Sequence, residues 1–209
     1  MQIWTIAMTK GGVGKTTLAT NLAVESALKG KKTLIIDLDS QESAVKWWQR
    51  READSPSLIK IEHNELTDAL NLAKKQKIDL VIIDTAGHDT LKHNESIIKA
   101  TFCLIPCQPS IADIEAVYPT VEILKRTKKN FAFVLTRCPS IGQDQLSSRE
   151  GLSGLGLVAK PYTVERKAYK HAYANGEGVS EYDPHDKASL EMKELYSWVF
   201  KKSTKLSEI

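Results

Sequence analysis

The stretch Lys10-Gly-Gly-Val-Gly-Lys-Thr-Thr17 follows directly on the apolar run Ile3-Trp-Thr-Ile-Ala-Met8. Gly11, Gly12 and Gly14, with Val13 between them, allow a tight turn after a strand, so that successive backbone N–H groups converge on an anion. Lys15 is then placed to reach β/γ-phosphates, and Thr16 offers a hydroxyl to Mg2+. A helix beginning near Thr16 aims the positive end of its dipole at the same point. The stretch departs from the strict G-x-x-x-x-G-K-[ST] pattern in having Thr9 at the first glycine, and it adds a second cation, Lys10. It predicts a strand–loop–helix unit that grips a nucleotide by its phosphates, and it leaves Lys10 to be explained.

Two acidic elements lie downstream. Leu34-Ile-Ile-Asp37-Leu-Asp39 ends an apolar run with two carboxylates at i and i+2, which share one side of an extended chain. At the carboxyl edge of a parallel sheet that side faces the ligand crevice. Asp39 is expected to orient an attacking water and Asp37 to help hold the metal's water shell, although Asp39 or Ser40 also suits a helix N-cap. Leu80-Val-Ile-Ile-Asp84-Thr-Ala-Gly87 has the form of a Walker B strand whose carboxylate holds Mg2+. Gly87 supplies the backbone freedom of a γ-phosphate switch. His88, just beyond it, reads as an exposed loop residue.

Short apolar runs at residues 3–8, 33–37, 80–84, 101–105 and 131–136 predict buried strands, with weaker candidates at 58–61 and 156–158. Helical spacing covers residues 16–29, 42–52, 65–76, 111–128 and 188–202, with a kink or break at Pro119. This alternation predicts an α/β fold: a mainly parallel twisted sheet with helices on both faces, the three-layer αβα arrangement of P-loop NTPases. Residues 139–156, rich in Gly, Pro and Ser, are expected to form a mobile loop. With 209 residues and no Pro/Gly-rich linker, a single domain over residues 1–209 is expected. Three cysteines without a C-x-x-C pair exclude a disulfide framework and argue against a zinc or redox site. No apolar stretch approaches the roughly 18 residues that span a bilayer, and no signal peptide is evident, so the chain is expected in the cytoplasm.

The three elements together resemble the deviant Walker ATPases of the ParA/MinD group. Gly178-Val-Ser-Glu-Tyr-Asp-Pro184, followed by Ala188 and Glu191, and Ile105-Pro-Cys-Gln-Pro-Ser110 are similar to the ParA (Soj-type) DNA-partition branch. The resemblance implies an ATPase that dimerises on Mg-ATP, with Lys10 as the signature lysine crossing to the partner's phosphates. A cation delivered in trans neutralises charge as the β–γ bond breaks, the service an arginine finger gives elsewhere. It implies catalytic roles for Lys10, Lys15 and Asp39, and a magnesium shell of Thr16, Asp37 and Asp84. Residues 10–17 together with Thr136 and Arg137 would line the nucleotide pocket. Ser40 and Ala86 replace the prolines usual in the group. Starting at its first strand, the chain resembles the short plasmid-type members that have no N-terminal helix-turn-helix and leave operator binding to a ParB-like centromere-binding partner.

The net charge of +3 permits a polyanionic partner without demanding one. Basic residues cluster at 125–129, at 160–170 and at 201–205. The resemblance directs attention to Arg166, Lys167 and Lys170 as the non-specific DNA contact of a nucleoid-associated dimer. The terminal helical stripe of Leu190, Leu195, Trp198 and Val199 is read as core packing rather than as a membrane anchor. Trp47 and Trp48 are adjacent, so one is expected in the core and the other outside it. Alternatives with the same chemistry position other cargo: conjugation complexes, carboxysomes or chemoreceptors. A ligase similar to dethiobiotin synthetase is the alternative of a different class.

Overall fold

The computed structural model describes residues 1–87 and 90–207. Its frame is a seven-stranded sheet of order β3-β2-β4-β1-β5-β6-β7. The strands are β1 (Gln2–Ile6), β2 (Thr33–Asp37), β3 (Ser57–Lys60), β4 (Leu80–Asp84), β5 (Phe102–Cys107), β6 (Phe131–Leu135) and β7 (Leu157–Val158). Every pairing is parallel. The chain leaves β1 for one side with β2 and β3, returns with β4, and crosses to the other side with β5. That reversal beside β1 opens the crevice in which such sheets bind ligands.

Burial on both faces explains the near-continuous apolar runs of β2, β4 and β5. Alternate residues serve opposite layers. Trp4, Ile35 and Ile82 pack under α1 (Lys15–Leu28), α2 (Ser43–Trp48) and the three last helices. Leu34, Ile36, Val81 and Ile83 pack on the other side against Leu66, Leu70 and Ala73 of α3 (Leu66–Lys75). α4 (Thr90–Lys99), α5 (Ile111–Glu115), α6 (Tyr118–Arg126) and α7 (Asp144–Ser153) complete that second layer, with Ile97, Val121, Leu124 and Leu152 in its core. α8 (Lys167–Ala174), α9 (Val179–Tyr182) and α10 (Lys187–Ser207) return to the first layer. Trp47 is fully buried and Trp48 exposed, as adjacent helical positions require.

The structure corrects several expectations. Residues 139–156, expected to be a mobile loop, contain helix α7; its buried residues are only Ser148 and Leu152, so no apolar periodicity marked it. The break expected at Pro119 within residues 111–128 is present but falls just before it, and Pro119 sits in the first turn of α6 where its missing N–H costs nothing. Leu190 is exposed rather than part of the α10 stripe, whose buried members include Met192, Leu195, Tyr196 and Val199. Helices α4, α8 and α9 were not foreseen. Among the described residues no helix is long and apolar enough to cross a membrane.

Candidate functional site

β1 ends at Ile6, and the chain turns through residues 7–14 into α1. Gly12 and Gly14 have φ of 77° and 92°, where any other residue is strained, and Gly14 is the N-cap of α1. The loop is pinned from two neighbours: Thr136 Oγ1 donates to the Val13 carbonyl at 2.8 Å, and Gln108 Nε2 to the Gly12 carbonyl at 3.1 Å. Lys15 folds back over the loop, donating to the Lys10 carbonyl at 3.0 Å. Burial lowers its pKa, while the charges of Asp84 and Asp39 oppose that shift. A methyl group on Gly87 would stand 2.9 Å from the Thr9 carbonyl and 3.2 Å from Lys15 Nζ, so the end of the Walker B segment lies directly on the loop.

Asp37 and Asp84 are register partners on neighbouring strands, both essentially inaccessible to solvent. Asp37 is consumed by the loop that follows it: its oxygens accept from the N–H of Asp39 at 2.8 Å and of Val45 at 3.2 Å. Its clearest duty is to hold the Asp39 turn. Asp84 differs, because among the described residues neither carboxylate oxygen has a hydrogen-bond partner. Burial, and then the charge of Asp37, pushes its pKa up to about 7; the nearby Thr16 hydroxyl and Lys15 ammonium favour the anion without bonding to either oxygen. A buried, unpartnered carboxylate beside a second acid is expensive unless a cation completes it. The donors on hand, carboxylate and hydroxyl oxygens, are those a hard cation takes. Among the described residues there is no cluster of three or more His, Cys, Asp or Glu.

The phosphate loop and the Asp39 turn border a cavity of about 990 Å3, whose lining does not include Asp37 or Asp84. Gly11, Gly12, Gly14, Lys15, Thr16 and Thr17 line one end, and Asp39 with Ser40 and Gln41 one flank. Thr136 and Arg137 line it as well; Arg137 adopts φ 50°, which turns the chain past the cavity. Val13 does not line it and is buried beneath the loop. The far wall comes from residues 163–173, including Thr163, Tyr169 and Tyr173. Arg166 and Lys170 belong to this wall, and Arg166 is paired with Glu191 at 2.5 Å. Lys167 is exposed at the start of α8.

Lys10 is not among the residues that line the cavity. Its ammonium lies 3.0 Å from Asp113 Oδ1, an oxygen that receives no other donor among the described residues. Asp113 is itself fixed in the first turn of α5: its N–H donates to Ser110 Oγ at 3.1 Å, and Ser110 Oγ donates to Asp113 Oδ2 at 2.5 Å. Sequence reasoning missed Asp113, Gln108 and Glu191 as site residues. The pattern Ser110-x-x-Asp113 after an apolar strand marks a capped helix start, and that was the available sign. His88 falls outside the described residues.

Similarity to known proteins agrees with this geometry. The AAA domain family matches residues 1–141. A carboxysome distribution protein A of Gloeobacter kilaueensis is 31% identical, over 82% of this chain and 79% of its own. A protein ParA of Rhizobium radiobacter is 25% identical, over 84% of each. Among solved structures, the septum site-determining protein MinD of Pyrococcus horikoshii, complexed with Mg-ADP, superposes with TM-score 0.81 at 17% identity, covering 100% of this chain and 99% of its own. The match over residues 1–141 and relatives at 30% identity or more place the chain in the ParA/MinD-type family of P-loop ATPases, in keeping with a phosphate loop that carries two lysines and a buried Asp37–Asp84 pair on adjacent parallel strands.

Proposed function

We propose that this chain is a Mg-ATP-dependent dimerising switch. Two subunits close face to face over nucleotide, bind DNA without sequence preference, and hydrolyse ATP slowly until a ParB-like centromere-binding partner accelerates the step. The carrying observation is the location of Lys10: it lies outside its own cavity, on Asp113. Lys15 already serves the phosphates in cis, so a second loop lysine pointing out of the pocket has its natural use in a partner's pocket.

Within one subunit, the loop N–H groups and the α1 N-terminus receive the phosphates, and Lys15 neutralises their charge. Thr16 and Asp84 would hold Mg2+, which when bound neutralises charge on the β- and γ-oxygens. Asp39 orients the water, its turn held by Asp37. Thr136 and Arg137 face the base end. Such a protein would work in the cytoplasm on the nucleoid and have no need of a membrane.

The test is gel filtration with ATP, ADP or no nucleotide. Wild type should dimerise with ATP; Lys10→Ala should bind nucleotide yet neither dimerise nor turn over; Asp39→Ala should trap the ATP dimer. A Lys10→Ala chain that still dimerises on ATP removes the trans role. A second reading keeps the chemistry and changes the cargo, because relatives at 28% and 31% identity are carboxysome distribution proteins. Co-purification from the native cell, with a DNA-binding partner or with a shell or cargo protein, separates the two.

A further inference from the structure

The turns at the amino ends of the strands lie on the opposite edge of the sheet from the cavity. Four of them, residues 29–32, 76–79, 99–101 and 127–130, contain seven lysines and one acid, Asp79. That acid is already engaged, accepting the Lys32 N–H at 2.9 Å. Lys74 and Lys75 end α3 just above the second turn, and Lys125 and Arg126 end α6 just above the fourth.

The end of α10 closes over the same edge and brings Lys202 and Lys205 with it. Gln2 Nε2 donates to Thr204 Oγ1 at 2.9 Å and Asn130 Nδ2 to the Leu206 carbonyl at 3.2 Å. Among the described residues none of these lysines is neutralised by an ion pair. Several are held in place by neutral contacts: Lys129 Nζ donates to the Ala100 carbonyl at 3.0 Å, and Lys31 Nζ sits 4.8 Å over the Phe200 ring. The charge is therefore both concentrated and fixed.

We infer that this amino edge is a docking face for the phosphate backbone of duplex DNA. The partner's identity rests on the DNA-binding reading above; the inference moves the contact from Arg166 and Lys170, which face the cavity, to the opposite edge. The turns belong to β2, β4, β5 and β6, with β1 between them, so five strands at about 4.8 Å spacing spread the charge over about 19 Å. A duplex carries one charge per roughly 1.7 Å of axis, hence about eleven phosphates along that width.

Lysine ammonium groups are point charges that meet phosphates without reading bases. Single strands are held by stacking on aromatic rings, and the exposed aromatics among the described residues, Trp48, Tyr118 and Tyr182, are absent from these turns. Insertion into a bilayer needs a free apolar helix face, and that of α10 is spent on the core through Leu195 and Val199.

Fluorescence anisotropy of a labelled random-sequence duplex, with Mg-ATP across a salt series, tests the assignment. The double variant Lys77→Glu, Lys128→Glu should bind at least about tenfold more weakly, with the slope of log affinity against log salt reduced by about two. Its melting temperature and its ATP turnover without DNA should match wild type. If wild type binds duplex and the double variant keeps the same affinity and slope, the edge is wrong and the DNA reading stands. If wild type binds no duplex in any nucleotide state, or is retained by phosphatidylserine vesicles instead, both are overturned.

Discussion

Gly87 has no side chain, and the space a methyl group would need is already filled by the Thr9 carbonyl and the Lys15 ammonium. Gly87→Ala should therefore push the phosphate loop out of shape while leaving the sheet intact. Overpacking of this kind costs about 1–3 kcal/mol, so titration with a fluorescent nucleotide should show affinity lower by roughly ten- to a hundredfold. Asp84 makes a prediction with a definite sign. Its pKa is raised from the ordinary 3.8 to about 7, so the folded chain holds this proton where the unfolded chain has lost it. Stability contributed by the protonated acid is thus lost as pH rises between those values, and levels off above them. Asp84→Asn escapes the loss: without metal, at about pH 8, it should melt several degrees above wild type, the gap closing near pH 4. The same variant should lose the Mg2+ dependence of nucleotide binding.

The turn that carries Asp39 leads into α2, and α2 with the residues after it is clamped to α8, α9 and the segment between them. The Arg51 guanidinium, 2% exposed, donates to both oxygens of Glu181, at 2.6 and 2.8 Å, and to the Gly176 carbonyl at 2.9 Å. Trp47 Nε1 donates to the Glu177 carbonyl at 3.0 Å, and Tyr173 Oη to the Ser43 carbonyl at 2.9 Å. A Cβ on Gly176 would fall 2.4 Å from the Arg51 nitrogen, so the two backbones touch. Breaking a buried pair by removing one member costs about 3–5 kcal/mol, and Arg51→Ala should show that loss in urea melts. Arg51→Lys should restore little of it, because an ammonium cannot span both Glu181 oxygens. This clamp was invisible in the sequence. Gly178-Val-Ser-Glu-Tyr-Asp-Pro184 stood out only as a family resemblance, and nothing in its spacing showed that Glu181 reaches across 130 residues to Arg51. Strands β2 and β4, by contrast, were legible to the residue, because burial on both faces leaves an unbroken apolar run ended by an acid. Helices α7 and α8 were not, since their few buried positions leave no stripe to read.

At the level of the whole molecule the two layers bury all three cysteines, and burial pushes each thiol up to about 12. A thiol reagent at mildly alkaline pH should therefore find no fast-reacting group in the native chain and three once urea unfolds it. The strand–loop–helix unit and the acids closing β2 and β4 were readable because their patterns are local. The far wall at residues 163–173, and the partner of Lys10, arise from segments that only the closed sheet brings together. A parallel sheet also gives the molecule a direction. The phosphate loop sits at the head of the strands and the lysine turns at the tail, so the proposed pair, joined head to head, would point its tails outward, away from each other. A particle of that shape cannot grip one short stretch of helix with both ends. On the proposed dimer and the proposed lysine-edge contact with duplex, it would instead act as a coupling between two separate tracts of DNA, and the nucleotide would decide how long the two stay tethered.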